Sequence, residues 1–225
     1  MDDVTIPDVA LQDNNSQRLP CILVVDGSAS MDGAPINELN IGLKVLEDEL
    51  KKDDIARQRV QVSVIRFGGL DQTEVLCEWT DAMAFSAPRV NAYGQTPMGK
   101  AVANAMQKIE EQKQRYRDHG IAYNRPWLFL MTDGEPTDLG WEHIADQCRT
   151  AEQAEKFIVW AIGVGHAADL SKLGRFSSRP PAKLSGLKFK ELFLWLSRSA
   201  SSASRAAQNS TVQLAAPTDW MQAPS

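Results

Sequence analysis

Two short apolar runs, Leu19–Val25 and Trp127–Thr132, each stop at an aspartate, Asp26 and Asp133. Neither run alternates polar with apolar residues. Each therefore reads as a strand buried on both faces, the pattern of a parallel sheet covered by helices. The chain between and beyond them carries helical spacing instead. Ile36, Leu39, Leu43, Leu46 and Leu50 make one apolar stripe, with Lys44, Glu47 and Lys51 on the other faces. A second helix is expected over 97–118, with Pro97 in its first turn and Met98, Val102, Ala105 and Ile109 inward. Others are expected over 141–155, 168–175 and 188–206, the last with Leu192, Trp195, Leu196 and Ser199 on one side.

The remaining segments read as strands and loops. Residues 60–67 form a strand, 68–72 a turn, and 73–79 the returning arm of a hairpin. Residues 156–162 form a strand ending in Gly163, whereas 80–95, with Pro88 and Gly94, lack periodicity and read as loop. Arg179-Pro180-Pro181 makes another loop. Strands alternating with helices predict a doubly wound, Rossmann-like α/β domain: a mostly parallel sheet, one antiparallel edge strand, helices on both faces. Ligands of such sheets bind at the carboxyl ends of the strands, where strand order reverses. That singles out the loops starting at Asp26, Gly68, Asp133 and Gly163.

At 225 residues the chain suits one such domain, over 19–206, between a polar leader (1–18) and a polar tail (207–225) with Val212, Leu214 and Trp220 as possible anchors. A net charge of −5 argues against a nucleic-acid partner, which needs a concentrated basic surface. Lys51-Lys52 and Arg57/Arg59 are short clusters diluted by Glu47, Asp53 and Asp54, and read as solvated helix ends. The leader carries Asp2, Asp3, Asp8 and Asp13 and has no apolar core, so it is not a signal peptide. No apolar run is long enough to span a bilayer. Cys21, Cys77 and Cys148 are odd in number and widely spaced, which predicts buried, reduced thiols and a cytoplasmic protein without membrane contact.

The loops at the strand ends carry the chemistry. Asp26-Gly27-Ser28-Ala29-Ser30 presents a carboxylate and two hydroxyls at alternate positions. Thr96, in Gly94-Gln95-Thr96-Pro97-Met98-Gly99, and Asp133, in Thr132-Asp133-Gly134, complete a set of oxygen donors. Hard oxygen ligands with few formal charges suit Mg²⁺. Two carboxylates cannot both neutralise a dication and fill its six positions, so water or a foreign carboxylate must complete its shell.

This pattern, Asp26-x-Ser28-x-Ser30 with Thr96 and Asp133, resembles the metal-ion-dependent adhesion site of von Willebrand factor A domains. The flanks Leu23-Val24-Val25, Gly94-x-Thr96-x-Met98-Gly99-x-Ala101 and Phe129-Leu130-Met131-Thr132-Asp133-Gly134 agree with it. Leu19-Pro20, Gly33-x-Pro35-Ile36, Met131 to Asp138 and Phe189 to Ser197 bring the chain near the bacterial TerY-like proteins of tellurium-resistance and stress clusters. The resemblance covers about residues 19–206. It implies that Ser28, Ser30 and Thr96 bind Mg²⁺ (or Mn²⁺ or Ca²⁺) through hydroxyls, and Asp26 and Asp133 mainly through water. It further implies that a partner's Asp or Glu takes the open position, making the protein an adaptor rather than an enzyme. The expected partner is a kinase, phosphatase or ring ATPase of the same gene cluster, in a stress or defence complex. TerY-like proteins carry Thr and Gly where this chain has Gly27 and Ala29. If residue 29 needs a positive φ, alanine costs about 1 kcal/mol there.

Other readings compete. A metal-assisted phosphoester hydrolase would need a nucleophile or base beside the metal, and a degenerate domain would bind partners without metal. Gly94-x-x-x-x-Gly99-Lys100-Ala101 nearly matches a phosphate-binding loop, but Ala101 replaces its Ser/Thr and no buried strand precedes it. Ser28 is not in a Gly-x-Ser-x-Gly elbow, and an aspartyl phosphatase would carry a carboxylate where Ser28 stands. Ser30 or Asp32 can read as a helix cap, and Thr96 is expected to cap its helix as well as hold metal. Asp71, Tyr93, Gln95 and Trp141 are candidate rim residues, with burial against its own helix the alternative for Trp141. Glu135 and Asp138 either tune partner choice or serve as turn and capping residues. His119, His143 and His166 are scattered without ligand spacing, His119 at the end of the sheet opposite the site.

Overall fold

The computed structural model describes residues 14, 16–70, 72–165, 168–206, 217, 220 and 221. Its strands are β1 (Leu19–Gly27), β2 (Val60–Gly68), β3 (Gln72–Asp81), β4 (Trp127–Thr132), β5 (Ile158–Gly163) and β6 (Ala182–Lys183). They form one sheet in the order β3-β2-β1-β4-β5-β6. Every neighbouring pair is parallel except β2 and β3, so the antiparallel strand sits at one edge as expected. The helices are α1 (Ala34–Lys52), α2 (Ala56–Arg59), α3 (Met98–Asp118), α4 (Trp141–Gln153), α5 (Leu170–Leu173) and α6 (Phe189–Arg205).

β1, β2 and β4 are buried at every residue, and a strand's period of two sends alternate side chains into two separate cores. Leu19, Cys21, Leu23 and Val25 join Val60, Val62, Val64, Phe129 and Met131 beneath α1 and α6. Ile22, Val24, Ile65, Phe67, Leu128 and Leu130 pack on the other face beneath α3 and α4. All five residues of the expected α1 stripe are buried. α1 and α6 approach so closely at Gly42 that a Cβ there would stand 2.5 Å from the Phe193 ring.

Residues 82–97 contain no regular element and form a strap that climbs from the foot of the sheet to its top. It leaves β3 with Ala82 N donating to Val60 O (2.8 Å) and reaches β1 with Tyr93 N donating to Gly27 O (2.9 Å). Backbone groups not paired in a sheet need other partners, and α1 supplies them. Asn40 bonds both Val90 N and Val90 O (2.8 and 2.9 Å), and Glu47 Oε2 accepts from Ala87 N (3.0 Å). Burial pushes the Glu47 carboxyl up, but Ala87 N, Lys51 and Lys44 outweigh it and bring the pKa to about 2.

Several expectations change. α2 and β6 were not expected; a four-residue helix and a two-residue strand are too short to show a period. α5 spans 170–173 rather than 168–175, because Asp169 caps it through Ser171 N and Lys172 N. Cys21 and Cys148 are buried, with thiol pKa values raised by desolvation, but Cys77 on the edge strand is only half-buried. The basic clusters pair as expected of helix ends, Lys51 with Glu47, Lys52 with Glu49 and Arg57 with Asp54.

Of the tail anchors, Trp220 is fully buried, packed 5.3 Å from the Trp195 ring. Ser185 N donates to Trp220 O (2.7 Å). Met221 bridges Leu184 beside β6. Val212, Leu214 and the leader's acidic residues lie outside the described residues. Among the described residues, no helix is long and apolar enough to cross a membrane.

Candidate functional site

Strand order reverses between β1 and β4, and Asp26 and Asp133 stand at the ends of those two strands. Asp26 is the penultimate residue of β1 and is fully buried. Ser28 N donates to its Oδ1 (2.7 Å), and the Thr132 hydroxyl donates to its Oδ2. Burial raises the Asp26 carboxyl to about 6, against the lowering effect of the Thr132 and Ser28 hydrogen bonds; the nearby charge of Asp133 adds slightly to the rise. Thr132, which the sequence offered only as a flank, also accepts from Gly134 N (3.1 Å) and so shapes the Asp133 loop.

Beyond β1 the chain turns through a short 3₁₀ segment, Ala29–Met31. Ser28 Oγ and Ser30 Oγ lie 3.0 Å apart, and Ser30 Oγ donates to Asp133 Oδ1 (2.7 Å). Thr96 reaches the same place from the strap. Its Oγ1 and that of Ser30 stand 3.5 and 3.9 Å from the point where a Cβ on Gly134 would sit. The five sequence-selected side chains thus come together from three loops. Ser28, Thr96 and Asp133 are largely buried, and Ser30 is exposed.

Loop-to-loop hydrogen bonds fix this arrangement. Ala29 N donates to Gly94 O (3.0 Å), Gly69 N to Tyr93 O (2.7 Å) and Gln95 N to Gly69 O (2.8 Å). The approach requires glycine at 94, where φ is +81° and a Cβ would fall 2.0 Å from Gly69 O. Thr96 and Thr137 exchange two bonds, Thr96 N to Thr137 Oγ1 and Thr137 N to Thr96 O, both 3.0 Å.

Capping differs from expectation. Thr96 makes no side-chain cap, and neither Ser30 nor Asp32 caps α1, whose N-cap is Gly33. Instead Asp138 reaches across from the β4–α4 loop and accepts from Gly99 N (3.2 Å) and Lys100 N (2.9 Å). A carboxylate there satisfies the orphan donors of α3. Asp138 is therefore a buried capping residue, and Glu135 pairs with Lys172.

The two departures at the loop have physical explanations. Among the described residues the only non-glycine positive φ is at Glu155, so Ala29 carries no such strain. At residue 27 the space is taken by Arg66, a buried side chain on β2. A Cβ there would meet Arg66 Nε at 2.4 Å and Asn91 O at 2.7 Å. Arg66 Nη2 donates to Gly27 O (2.9 Å) and its Nε to Asn91 O (2.7 Å), and its guanidinium lies 4.1 Å from the Tyr93 ring centroid. Sequence reasoning missed Arg66, because no local pattern reveals a charge buried by partners on other loops.

Of the other rim candidates, Tyr93 and Gln95 are exposed. Trp141 is half-buried, stacked on Phe176 at 5.9 Å with Arg175 over its ring, which favours the packing alternative. His119 sits at the far end of α3, its Nδ1 near Arg115 O, and His143 on the exposed face of α4. Asp71 and His166 lie outside the described residues.

The donor chemistry fits a hard cation. Asp26, held by Ser28 N and Thr132, and Asp133, held by the Ser30 hydroxyl, are two buried carboxylates, and among the described residues no Lys or Arg salt-bridges to either. Buried charge without a partner is costly, and a bound dication would supply that partner. No group of three or more His, Cys, Asp or Glu side chains suited to a metal occurs among the described residues. Any ion here would rest on hydroxyls as much as on carboxylates.

Residues 21–190 match the family model for the von Willebrand factor type A domain. An uncharacterized protein of Synechocystis sp. is 29% identical over 133 residues, covering 56% of this chain and 28% of that protein. The fold is similar to that of the von Willebrand factor type A protein from Catenulispora acidiphila (TM-score 0.58, 19% identity, 83% of this chain and 43% of that one). It is similar also to the pilus adhesin SpaC of Lactobacillus rhamnosus GG (TM-score 0.67, 13% identity, 84% and 32%). Manganese-loaded TRAP protein of Plasmodium vivax gives a TM-score of 0.55 at 18% identity, over 80% of this chain and 73% of that one. The chain thus spans under a third of its Synechocystis relative's length.

Proposed function

The chain belongs to the von Willebrand factor type A family, and we propose that it is a metal-dependent protein-binding module. In this reading Asp26, Ser28, Ser30, Thr96 and Asp133 hold one Mg²⁺ or Mn²⁺ ion. When bound, the ion supplies an electrophilic position that a partner's Asp or Glu carboxylate fills. The protein's own groups do the rest: Thr132 and Ser28 N orient Asp26, Ser30 bridges to Asp133, and the strap delivers Thr96.

The observation that carries the reading is a pair of buried carboxylates at the switch point, Asp26 held by Ser28 N and Asp133 by the Ser30 hydroxyl, with no Lys or Arg salt-bridged to either among the described residues. The manganese-loaded relative supports the choice of a divalent ion. The TerY-like resemblance extends the proposal to a cytoplasmic adaptor whose partner is a kinase, phosphatase or ring ATPase in a stress or defence complex.

Calorimetric titration of the full chain with Mg²⁺ and Mn²⁺ tests the premise. A saturable heat that Asp133→Ala abolishes supports it, and no heat with either ion overturns it. A phosphoester-hydrolysing activity lost in Ser28→Ala would instead favour the enzymatic alternative.

A further inference from the structure

Six large apolar side chains are exposed among the described residues. Three of them, Leu70 (86% exposed), Tyr93 (52%) and Leu139 (101%), lie on loops at the carboxyl ends of the strands, around the site just described. Leu70 tips the β2–β3 turn, Tyr93 ends the strap, and Leu139 precedes α4. Scattered exposed leucines need no explanation, but three gathered on one functional face do.

Tyr93 is also held in place. One side of its ring rests on the Arg66 guanidinium at 4.1 Å, and its edge lies 3.0 Å from where a Cβ on Gly69 would be. Its backbone is bonded on both sides, Tyr93 N to Gly27 O and Gly69 N to Tyr93 O. An aromatic side chain fixed before binding loses little freedom on contact, and such residues dominate interface energetics.

The charges of the rim narrow the partner further. Arg66 is engaged by Gly27 O, Asn91 O and Tyr93, and Lys172 by Glu135 and Asp169. These two cations are already engaged, and Glu74 stands exposed 4.0 Å from Arg66. A densely acidic segment would find neither Arg66 nor Lys172 free, and would meet Glu74. A lone acid beside apolar residues would use both the metal and the apolar contacts.

Resting on the metal-binding reading above, we propose that the partner presents a single Asp or Glu flanked by an apolar side chain, which docks on Leu70 and Tyr93. The probe is a random-peptide phage library panned on the full chain in Mg²⁺ and eluted with EDTA. Eluted sequences are expected to share one acidic residue beside Leu, Ile, Phe or Met. Leu70→Ser and Tyr93→Ser should each weaken a selected peptide about tenfold while leaving the Mg²⁺ titration, run without peptide, unchanged. Acidic peptides lacking an apolar neighbour, peptides indifferent to both substitutions, or no EDTA-eluted peptide from a chain that binds Mg²⁺ would each overturn the inference alone. A chain that gives no Mg²⁺ heat would overturn the metal-binding reading and this inference with it.

Discussion

Asp26→Asn should make the metal-free protein more stable. The Asp26 carboxyl is buried, and desolvation lifts its pKa from 3.8 to about 6. For an acid, a folded-state pKa above the unfolded value means that the fold binds the extra proton, so stability falls as pH rises from 3.8 to 6. Above 6 the whole cost is present, about 3 kcal/mol at roughly 1.36 kcal/mol for each pH unit. Asparagine removes the charge but turns an NH₂ toward Thr132, whose hydroxyl must then accept rather than donate while Gly134 N already uses it. Losing that hydrogen bond costs about 1 kcal/mol, leaving a net gain of about 2 kcal/mol and a melting temperature higher by about 4–8 °C. Urea unfolding in EDTA at about pH 7.5 should show the gain, and at about pH 3.5 it should vanish, because aspartate is then fully protonated in the fold and mostly protonated in the unfolded chain. With Mg²⁺ the order should reverse, since only the wild type gains binding free energy. A less stable asparagine variant in EDTA at neutral pH, or an equal gain at both pH values, would refute the account of Asp26 as a charge that the fold tolerates for function.

Three further outcomes follow from the packing around the site. Gly27→Thr drives a side chain into Arg66 Nε at 2.4 Å and Asn91 O at 2.7 Å, and should cost about 2–3 kcal/mol in urea unfolding as an overpacked position. Glu47→Gln weakens the clamp on the strap: the carboxyl, lowered from 4.5 to about 2, contributes about 3 kcal/mol above pH 4.5 that is lost as pH falls through 2. The variant's unfolding free energy should therefore be flatter than the wild type's across that window. Trp220→Ala empties a fully buried indole site against Trp195, and a loss of about 3–5 kcal/mol by thermal or urea unfolding is expected.

Local sequence determined the sheet, the helices that cover it and the loops that carry the five oxygen donors. Fully apolar strands such as Leu19–Val25 can be stable only with helices on both faces, and the 3-4-3-4 stripe of α1 announces one of those helices. An aspartate at the end of a buried strand is legible for the same reason, as the first polar residue where the sheet meets the top of the molecule. Tertiary structure alone decided what neighbours each site residue. Asp138 caps a helix thirty-eight residues earlier in the chain. Arg66 fills the space left by Gly27, and Glu47 and Asn40 steer the strap that delivers Thr96. These roles join distant segments through single hydrogen bonds and close approaches, and such contacts leave no periodicity in the sequence. Hydrophobic pattern fixes the architecture because burial is repeated along every element, whereas the geometry of the site rests on a few directional bonds, each made once.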